Sequence, residues 1–287
     1  MTTIGTIGVI GLGLIGGSMA IDLKRTQFVS TVLGYDKNPL NGATAQKLGI
    51  VDRVVSYEQL LQESDLILLS VPADAVIRLL PEILDRCGQR ECPPIVMDVC
   101  SVKKKIIECV ATHPQRARFV ATHPMSGTEY SGPEAALSGL FDGKACILCD
   151  VEHSDADCVK KVECLYQALN MRLLRMGAES HDLHTAYVSH LSHVISFALA
   201  LTVLDKEKDE KNIFDLASGG FSSTARLAKS NPQMWVPIFA QNRDCLLPVV
   251  DAYMEHLKNF REAISTADTE QLKALIDEAN KIRKTIK

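Results

Sequence analysis

A short apolar run, Thr6–Ile10, enters the hexapeptide Gly11-Leu-Gly-Leu-Ile-Gly16 directly, and Gly17 to Lys24 then reads as a helix. Strand, glycine turn and helix in immediate succession commit the amino-terminal half to an open parallel sheet with crossover helices. Gly11 permits the tight turn, Gly13 lets the backbone approach a pyrophosphate, and Gly16 allows close packing of helix on strand. The free N–H groups at the helix start, on Leu14, Ile15 and Gly16, hold the anion. A second strand, Thr31–Tyr35, ends in Asp36, twenty positions beyond Gly16, where a carboxylate accepts hydrogen bonds from an adenosine ribose. An aspartate closing a strand can equally cap the next helix. In the ribose role Asp36 favours NAD over NADP, because a phosphate about 4 Å away would meet repulsion of ~4 kcal/mol per charge pair.

Later β-rich runs at Asp65–Val71, Ile95–Val99, Phe119–Thr122, Ala145–Val151 and Arg172–Met176 extend the α/β pattern to residue 176. Beyond Gly177 strands vanish and three helical stretches follow: Glu179 to Lys206, Pro232 to Ser265 and Thr269 to Ile286. Pro237 and Pro248 are expected to break or kink the second. The reading is a Rossmann dinucleotide-binding domain over 1–176, followed by an all-helical domain over 177–287. Asp205–Lys211 reads as a solvated charged helix end or connection. Val194–Leu204 is apolar nearly all round, which requires burial on more than one side. A helical unit of this size has little interior to provide that, so a homodimer through the helices is expected.

Composition narrows the partners. With 46% hydrophobic and 23% charged residues and a net charge of −4, there is no basic excess to attract nucleic acid. No basic leader precedes the first strand and no apolar run approaches membrane-spanning length, which points to a cytoplasmic protein with no membrane partner. Nine cysteines without framework spacing fit reduced thiols. Cys146 and Cys149 lie three apart in one strand and so face opposite ways, against joint ligation.

Candidate chemistry gathers where strands end. His123 follows Phe119–Thr122 and opens the loop HPMSGTEYSG, where an imidazole of ordinary pKa, about 6.5, can exchange a proton near neutrality; it can also simply close the turn before Pro124. Ser101 follows Ile95–Val99 and either bridges imidazole, substrate and nicotinamide or caps a helix beginning at Val102. Val71 and Pro72 line the cofactor groove. His181, His184, His190 and His193 fall within thirteen residues, but a straight helix cannot gather all four, so no metal is expected. Ser189–His193 instead offers one or two imidazoles to an interdomain cleft. Arg226, after the flexible Gly219-Gly220, is a candidate clamp for an acidic substrate; Trp235 is the sole tryptophan.

Taken in order, GLGLIGGS, GYD, SVP, DVCSVK, HPMSGTEYSG, HDLHTAYVSHLSH and GGFSSTARLAKSNPQMW resemble the prephenate and arogenate dehydrogenases of tyrosine biosynthesis over about residues 4 to 265. The resemblance implies a Rossmann domain joined to a helical dimerisation domain, and oxidative decarboxylation of prephenate to 4-hydroxyphenylpyruvate with NAD as oxidant. It implies that His123 is the catalytic base, Ser101 its hydrogen-bonding partner and Arg226 the carboxylate-binding arginine. His193, Thr128 and Glu129 line or gate the pocket, with Trp235 as an aromatic wall. Cys100 stands where relatives often carry glycine, and Ser222 where some carry lysine, so arogenate stands beside prephenate as the alternative substrate. A two-domain β-hydroxyacid dehydrogenase would call for a catalytic lysine early in the first long helix, which Glu179–Lys206 lacks before its end. A non-catalytic NAD-sensing protein would need neither His123 nor Arg226.

Overall fold

In a computed structural model, residues 4–208, 210 and 212–285 are described. The strands are β1 (Ile4–Ile10), β2 (Val29–Tyr35), β3 (Arg53–Val54), β4 (Leu66–Leu69), β5 (Ile95–Asp98), β6 (Phe119–Pro124), β7 (Ala145–Cys149) and β8 (Arg172–Met176). They form one sheet in the order β3-β2-β1-β4-β5-β6-β7-β8. All neighbours are parallel except β6 and β7, so β7 and β8 run against the rest. The order reverses between β1 and β4, and in sheets of this kind the crevice at that point takes a ligand.

The helices are α1 (Leu14–Arg25), α2 (Pro39–Lys47), α3 (Tyr57–Glu63), α4 (Ala73–Cys87), α5 (Lys104–Glu108), α6 (Ala156–Ala168), α7 (Ala178–Thr185), α8 (Leu191–Glu207), α9 (Gly219–Ala225), α10 (Pro232–Gln241), α11 (Arg243–Ser265) and α12 (Thr269–Ala279). Period-two burial explains the layers. Leu66 and Leu68, with Ile7, Val9, Met97 and Leu148, face Met19 and Leu23 of α1 and Val162 and Leu165 of α6. Ile67 and Leu69, with Val96, Phe119 and Ile147, face Val76, Leu80 and Ile83 of α4. Cys146 belongs to the first layer and Cys149 to the second, so the two thiols sit on opposite faces of the sheet.

Contacts divide the chain into a unit ending at Asn242 and a second beginning at Arg243. The first contains the sheet and the helices to α10, whose Trp235 and Ile238 join the core on the α4 face. The second contains α11 and α12, whose chain continues as a 3-10 turn, Asn280–Lys284.

Three expectations change. The stretch from Pro232 to Ser265 is interrupted at Asn242, and neither proline marks the break: Pro237 and Pro248 both lie within helices. Ala178–Glu207 forms one thirty-residue helical run that is, by length and composition, apolar enough to cross a membrane, where no such run was expected. Its amino-terminal part nevertheless carries buried His181, Asp182 and His190, hydrogen-bonded within the unit, as befits a helix docked on protein. Further along, Ser196 is the one fully buried residue of α8, and among the described residues its apolar surface is only partly covered. The run is also not straight: Ala186–His190 is a π-turn. Of the charged segment, Asp205 to Glu207 close α8 as a helix end, while Asp209 and Lys211, like Met1–Thr3, Ile286 and Lys287, lie outside the described residues.

Candidate active site

The glycine turn is built from backbone. Gly11 has φ +96°, and a Cβ there would lie 2.2 Å from the Ser70 carbonyl oxygen just beyond β4. A Cβ on Gly16 would lie 2.2 Å from Gly11 O, so close packing of α1 on the turn excludes any side chain. Gly13 meets nothing within 4 Å. It is the N-cap of α1, with no side-chain cap and no acidic residue in the first turn. The N–H groups of Leu14, Ile15 and Gly16 are therefore first-turn donors facing an open approach, a cradle that suits a pyrophosphate.

Asp36 stands at the end of β2. Its Oδ2 accepts from Leu12 N (2.9 Å) and its Oδ1 from Asn38 N (2.8 Å) and Asn41 Nδ2 (3.3 Å). These bonds tie the carboxylate to the glycine turn. The cap of α2 is Asn38 rather than Asp36. Val71 and Pro72 follow β4, half-buried and exposed, on the same carboxyl edge.

His123 does not open a loop. It and Pro124 remain in β6, opposite Ile147 and Cys146 of the antiparallel β7. The ring is buried and it is not alone: its Nδ1 lies 2.8 Å from Nε2 of His181, in an edge-on contact. His181 Nδ1 donates to Asp182 Oδ1 (2.8 Å). Asp182 also accepts from Lys103 N through Oδ1 (2.8 Å) and from Lys104 N through Oδ2 (2.9 Å), which caps α5. Ser101 is thus not the cap of α5, which begins three residues later, and it stays half-buried on the loop between β5 and that helix.

Lys103, wholly buried, pairs its Nζ with Asp98 at the end of β5 and donates to Thr122 O (2.6 Å). Removing either partner of such a pair strands a buried charge, a loss of about 3–5 kcal/mol. Burial opposes the Lys103 charge most strongly, but the charge and hydrogen bond of Asp98, with the nearby Cys100 and Cys149, together raise its pKa. This fixed cation bears on the imidazoles. Burial pushes the His123 pKa well below its ordinary value, and His181 and Lys103 push it further. His181 is lowered by burial and by Lys103, against the pull of Asp182. His123 is accordingly a neutral ring at pH 7, able to take a proton, rather than one half-titrated near neutrality.

The π-turn decides the fate of the four histidines. His181 and His190 are both buried, His193 is half-buried, and His184 is exposed. Asn242 Nδ2 donates to His190 Nδ1 (3.0 Å) and to Asp182 O (2.7 Å), and burial brings the His190 pKa down to about 4. His193 donates Nδ1–H to Ser189 O (3.0 Å) and stacks on Trp235 with ring centroids 3.4 Å apart. Trp235 Nε1 is buried without a hydrogen-bond partner among the described residues. Among those residues no group of three or more His, Cys, Asp or Glu is arranged to hold a metal. Arg226 Nη1 meets Glu129 Oε2 at 3.3 Å, which joins the start of the turn after α9 to the loop that follows His123. In that loop Thr128 Oγ1 accepts from Tyr130 N (3.2 Å).

The sequence reading thus gave roles to His123, Ser101, Thr128, Glu129, His193, Arg226 and Trp235 but none to His181, which it weighed only as a metal ligand, or to Asp182, Lys103 or Asp98. The local signal for the first pair was His-Asp at the start of a helix. Lys103 and Asp98 carry no local signal, because both look like a polar strand end.

The family model described as "Prephenate dehydrogenase, nucleotide-binding domain" matches residues 19–175, and that described as "Prephenate dehydrogenase, dimerization domain" matches 177–278. The cyclohexadienyl dehydrogenase of Zymomonas mobilis subsp. mobilis is 32% identical over 100% of this chain and 98% of its own. The crystal structure of Aquifex aeolicus prephenate dehydrogenase in complex with hydroxyphenyl propionate and NAD+ has a TM-score of 0.86 at 30% identity, covering 99% of each chain. Synechocystis arogenate dehydrogenase has a TM-score of 0.75 at 27% identity, covering 97% of this chain and 99% of its own. The two family models together span residues 19–175 and 177–278, and the Zymomonas relative matches along the whole length: the chain belongs to the prephenate dehydrogenase family.

Proposed function

We propose that this chain oxidises and decarboxylates prephenate to 4-hydroxyphenylpyruvate, with NAD as oxidant. The observation that carries the reading is His123, a buried neutral imidazole on the same carboxyl edge as the glycine turn. When bound, NAD supplies the acceptor for the hydride that leaves C4 of the substrate ring. His123 accepts the proton of the C4 hydroxyl as that carbon becomes a carbonyl, and departure of carbon dioxide leaves the ring aromatic. Arg226 holds a substrate carboxylate; its guanidinium is half-exposed and only Nη1 meets Glu129, so donors remain for a second anion. Ser101 hydrogen-bonds near the reacting hydroxyl, and Thr128, Glu129, His193 and Trp235 line the pocket, where the unpartnered Trp235 Nε1 offers a donor.

Gly11, Gly13, Leu14, Ile15, Gly16, Asp36, Val71, Pro72 and Ser101 make the cofactor site. Asp36, fixed by three hydrogen bonds, would accept from ribose hydroxyls and repel a 2′-phosphate, so NAD is preferred to NADP. The enzyme is a cytoplasmic homodimer of an amino-terminal domain over 1–176 and a helical domain over 177–287. Support for dimerisation comes from the helical run Ala178–Glu207, of whose most apolar window only 11% is buried within the chain.

Arogenate is the second reading, favoured by the likeness to the Synechocystis enzyme. The test follows absorbance at 340 nm with prephenate or arogenate and NAD or NADP. Prephenate with NAD is expected to give the highest kcat/KM; a higher value with arogenate makes the second reading the right one, and no reduction with any pair leaves a non-catalytic nucleotide-binding protein.

A further inference from the structure

Asp182 reaches His123 only through another ring, and the direction of each hydrogen bond in that chain is fixed by chemistry. A carboxylate accepts and cannot donate, and Asp182 is surrounded by donors: Lys103 N, Lys104 N and His181 Nδ1. His181 therefore carries its proton on Nδ1. Neutral, it then presents a lone pair at Nε2, and the atom that meets it, at 2.8 Å, is His123 Nδ1. His123 must donate there, which places its proton on Nδ1 and leaves Nε2 bare. Had Asp182 been an amide turned the other way, every proton in the chain would shift by one place and His123 Nε2 would carry a hydrogen.

We propose that Asp182 and His181 are positioning residues that fix His123 as the Nδ1–H tautomer, so that Nε2 is the atom that takes the substrate's hydroxyl proton. When Nε2 is protonated, the Nδ1–H bond to His181 is kept, and the positive ring lies two hydrogen bonds from the Asp182 carboxylate. The same carboxylate caps α5, so the turn that carries Lys103 is held by the residue that sets the tautomer. Groups facing the His123–His181 pair are Asp182 on α7, Lys103 before α5, His190 on the π-turn and Cys146 on β7. The inference rests on His123 being the proton acceptor, yet the tautomer can be read without any turnover.

Long-range 1H–15N correlation spectra of 15N-histidine-labelled full-length protein give that reading, with the His123 signals identified by their loss in His123→Asn. The wild type is expected to show His123 protonated at Nδ1, and Asp182→Asn to move that proton to Nε2. In turnover, Asp182→Asn should lower kcat about 10²–10⁴-fold, the scale of a base held in the wrong tautomer, with KM for prephenate and Kd for NAD within about threefold of wild type. His181→Gln, whose side-chain carbonyl accepts from Nδ1 with no help from Asp182, should keep most of the activity, whereas His181→Leu should lose it. In the His181→Gln background Asp182→Asn should then cost less than about tenfold.

A wild-type spectrum with His123 protonated at Nε2 overturns the proposal. So do equal losses in His181→Gln and His181→Leu, or an Asp182→Asn loss of the same size in both backgrounds, which would mark Asp182 as a helix cap only. If Asp182→Asn does not fold, the His181 pair and the wild-type spectrum decide. If the wild type oxidises neither prephenate nor arogenate, the functional reading fails on its own while the spectrum still settles the tautomer.

Discussion

The carboxyl edge of the sheet has two working corners made in opposite ways. At β1, β2 and β4 the glycine turn and Asp36 offer backbone N–H groups and one carboxylate, half open, all drawn from neighbouring strand ends. At β5 and β6 the chemistry is in buried side chains, His123, Lys103 and Asp98, completed by His181, Asp182 and His190 from a helix far along the chain. The first corner suits an anion because the start of α1 has no side-chain cap and no acidic residue in its first turn. The second corner pairs most of its polar atoms, His190 Nε2 and Trp235 Nε1 excepted, and uses burial and one fixed cation to keep its rings neutral. The difference is between holding charge and moving a proton: an exposed dipole suffices for the former, while the latter needs a pKa set by surroundings.

The largest effect should come from the second corner. His123→Asn removes the proposed proton acceptor and should lower kcat by about 10²–10⁴ while Kd for NAD, measured by calorimetric titration, stays within about twofold of wild type. The same assay carries a pH test. Because burial, His181 and Lys103 push the His123 pKa well below its ordinary value, the neutral form persists in mildly acidic solution. The acid limb of kcat/KM should thus lie clearly below pH 6.5, and a limb at or above that value would mean that the ring senses water rather than its neighbours.

The two corners also differ in how much of them could be read from residues alone. Gly11, Gly13, Gly16 and Asp36 lie within one βαβ unit, where sequence spacing is spatial spacing, so the glycine turn and the carboxylate beside it were legible. His123 was legible as a strand end but not as a buried partner, because the antiparallel β7 that keeps it in the sheet is an event of the tertiary fold. His181 was set aside on the geometry of a straight helix, and the π-turn at Ala186–His190 makes that geometry wrong. The break at Asn242 was placed on the prolines instead, although Asn242 Nδ2 is what the buried Asp182 carbonyl and His190 ring require.

A smaller effect, in stability rather than rate, probes the same corner through His190. Its folded pKa of about 4 lies below the ordinary 6.5, so between these values the unfolded chain binds more protons than the folded one. The stabilising contribution of the neutral ring is complete above pH 6.5 and is lost as pH falls towards 4, a change of about 3 kcal/mol. His123 and His181 act in the same sense. Urea midpoints at fixed protein concentration should therefore fall steeply from pH 7 to pH 4.5, and less steeply in His190→Gln. Parallel falls in the two proteins would show that His190 is not held neutral by the fold.

The smallest effects should come from the glycine corner, where two neighbouring glycines separate folding from binding. At Gly11 the backbone is left-handed and a Cβ would press on Ser70 O, so Gly11→Ala should lose about 1–3 kcal/mol of stability and disturb the turn whether or not a ligand is present. At Gly13 the backbone is extended, with φ −85° and ψ −159°, and the space where a Cβ would sit is open. Gly13→Ala should thus leave the urea midpoint of the free protein unchanged within about 0.5 kcal/mol, as for a substitution that touches nothing. Its effect should appear only when NAD is titrated, as a Kd raised about tenfold or more, because the methyl group then stands where the pyrophosphate must come close to backbone N–H groups. Equal NAD affinity in wild type and Gly13→Ala would mean that the open space is not the cradle, and the contrast between a corner that binds by vacancy and one that works by burial would fail at its simpler end.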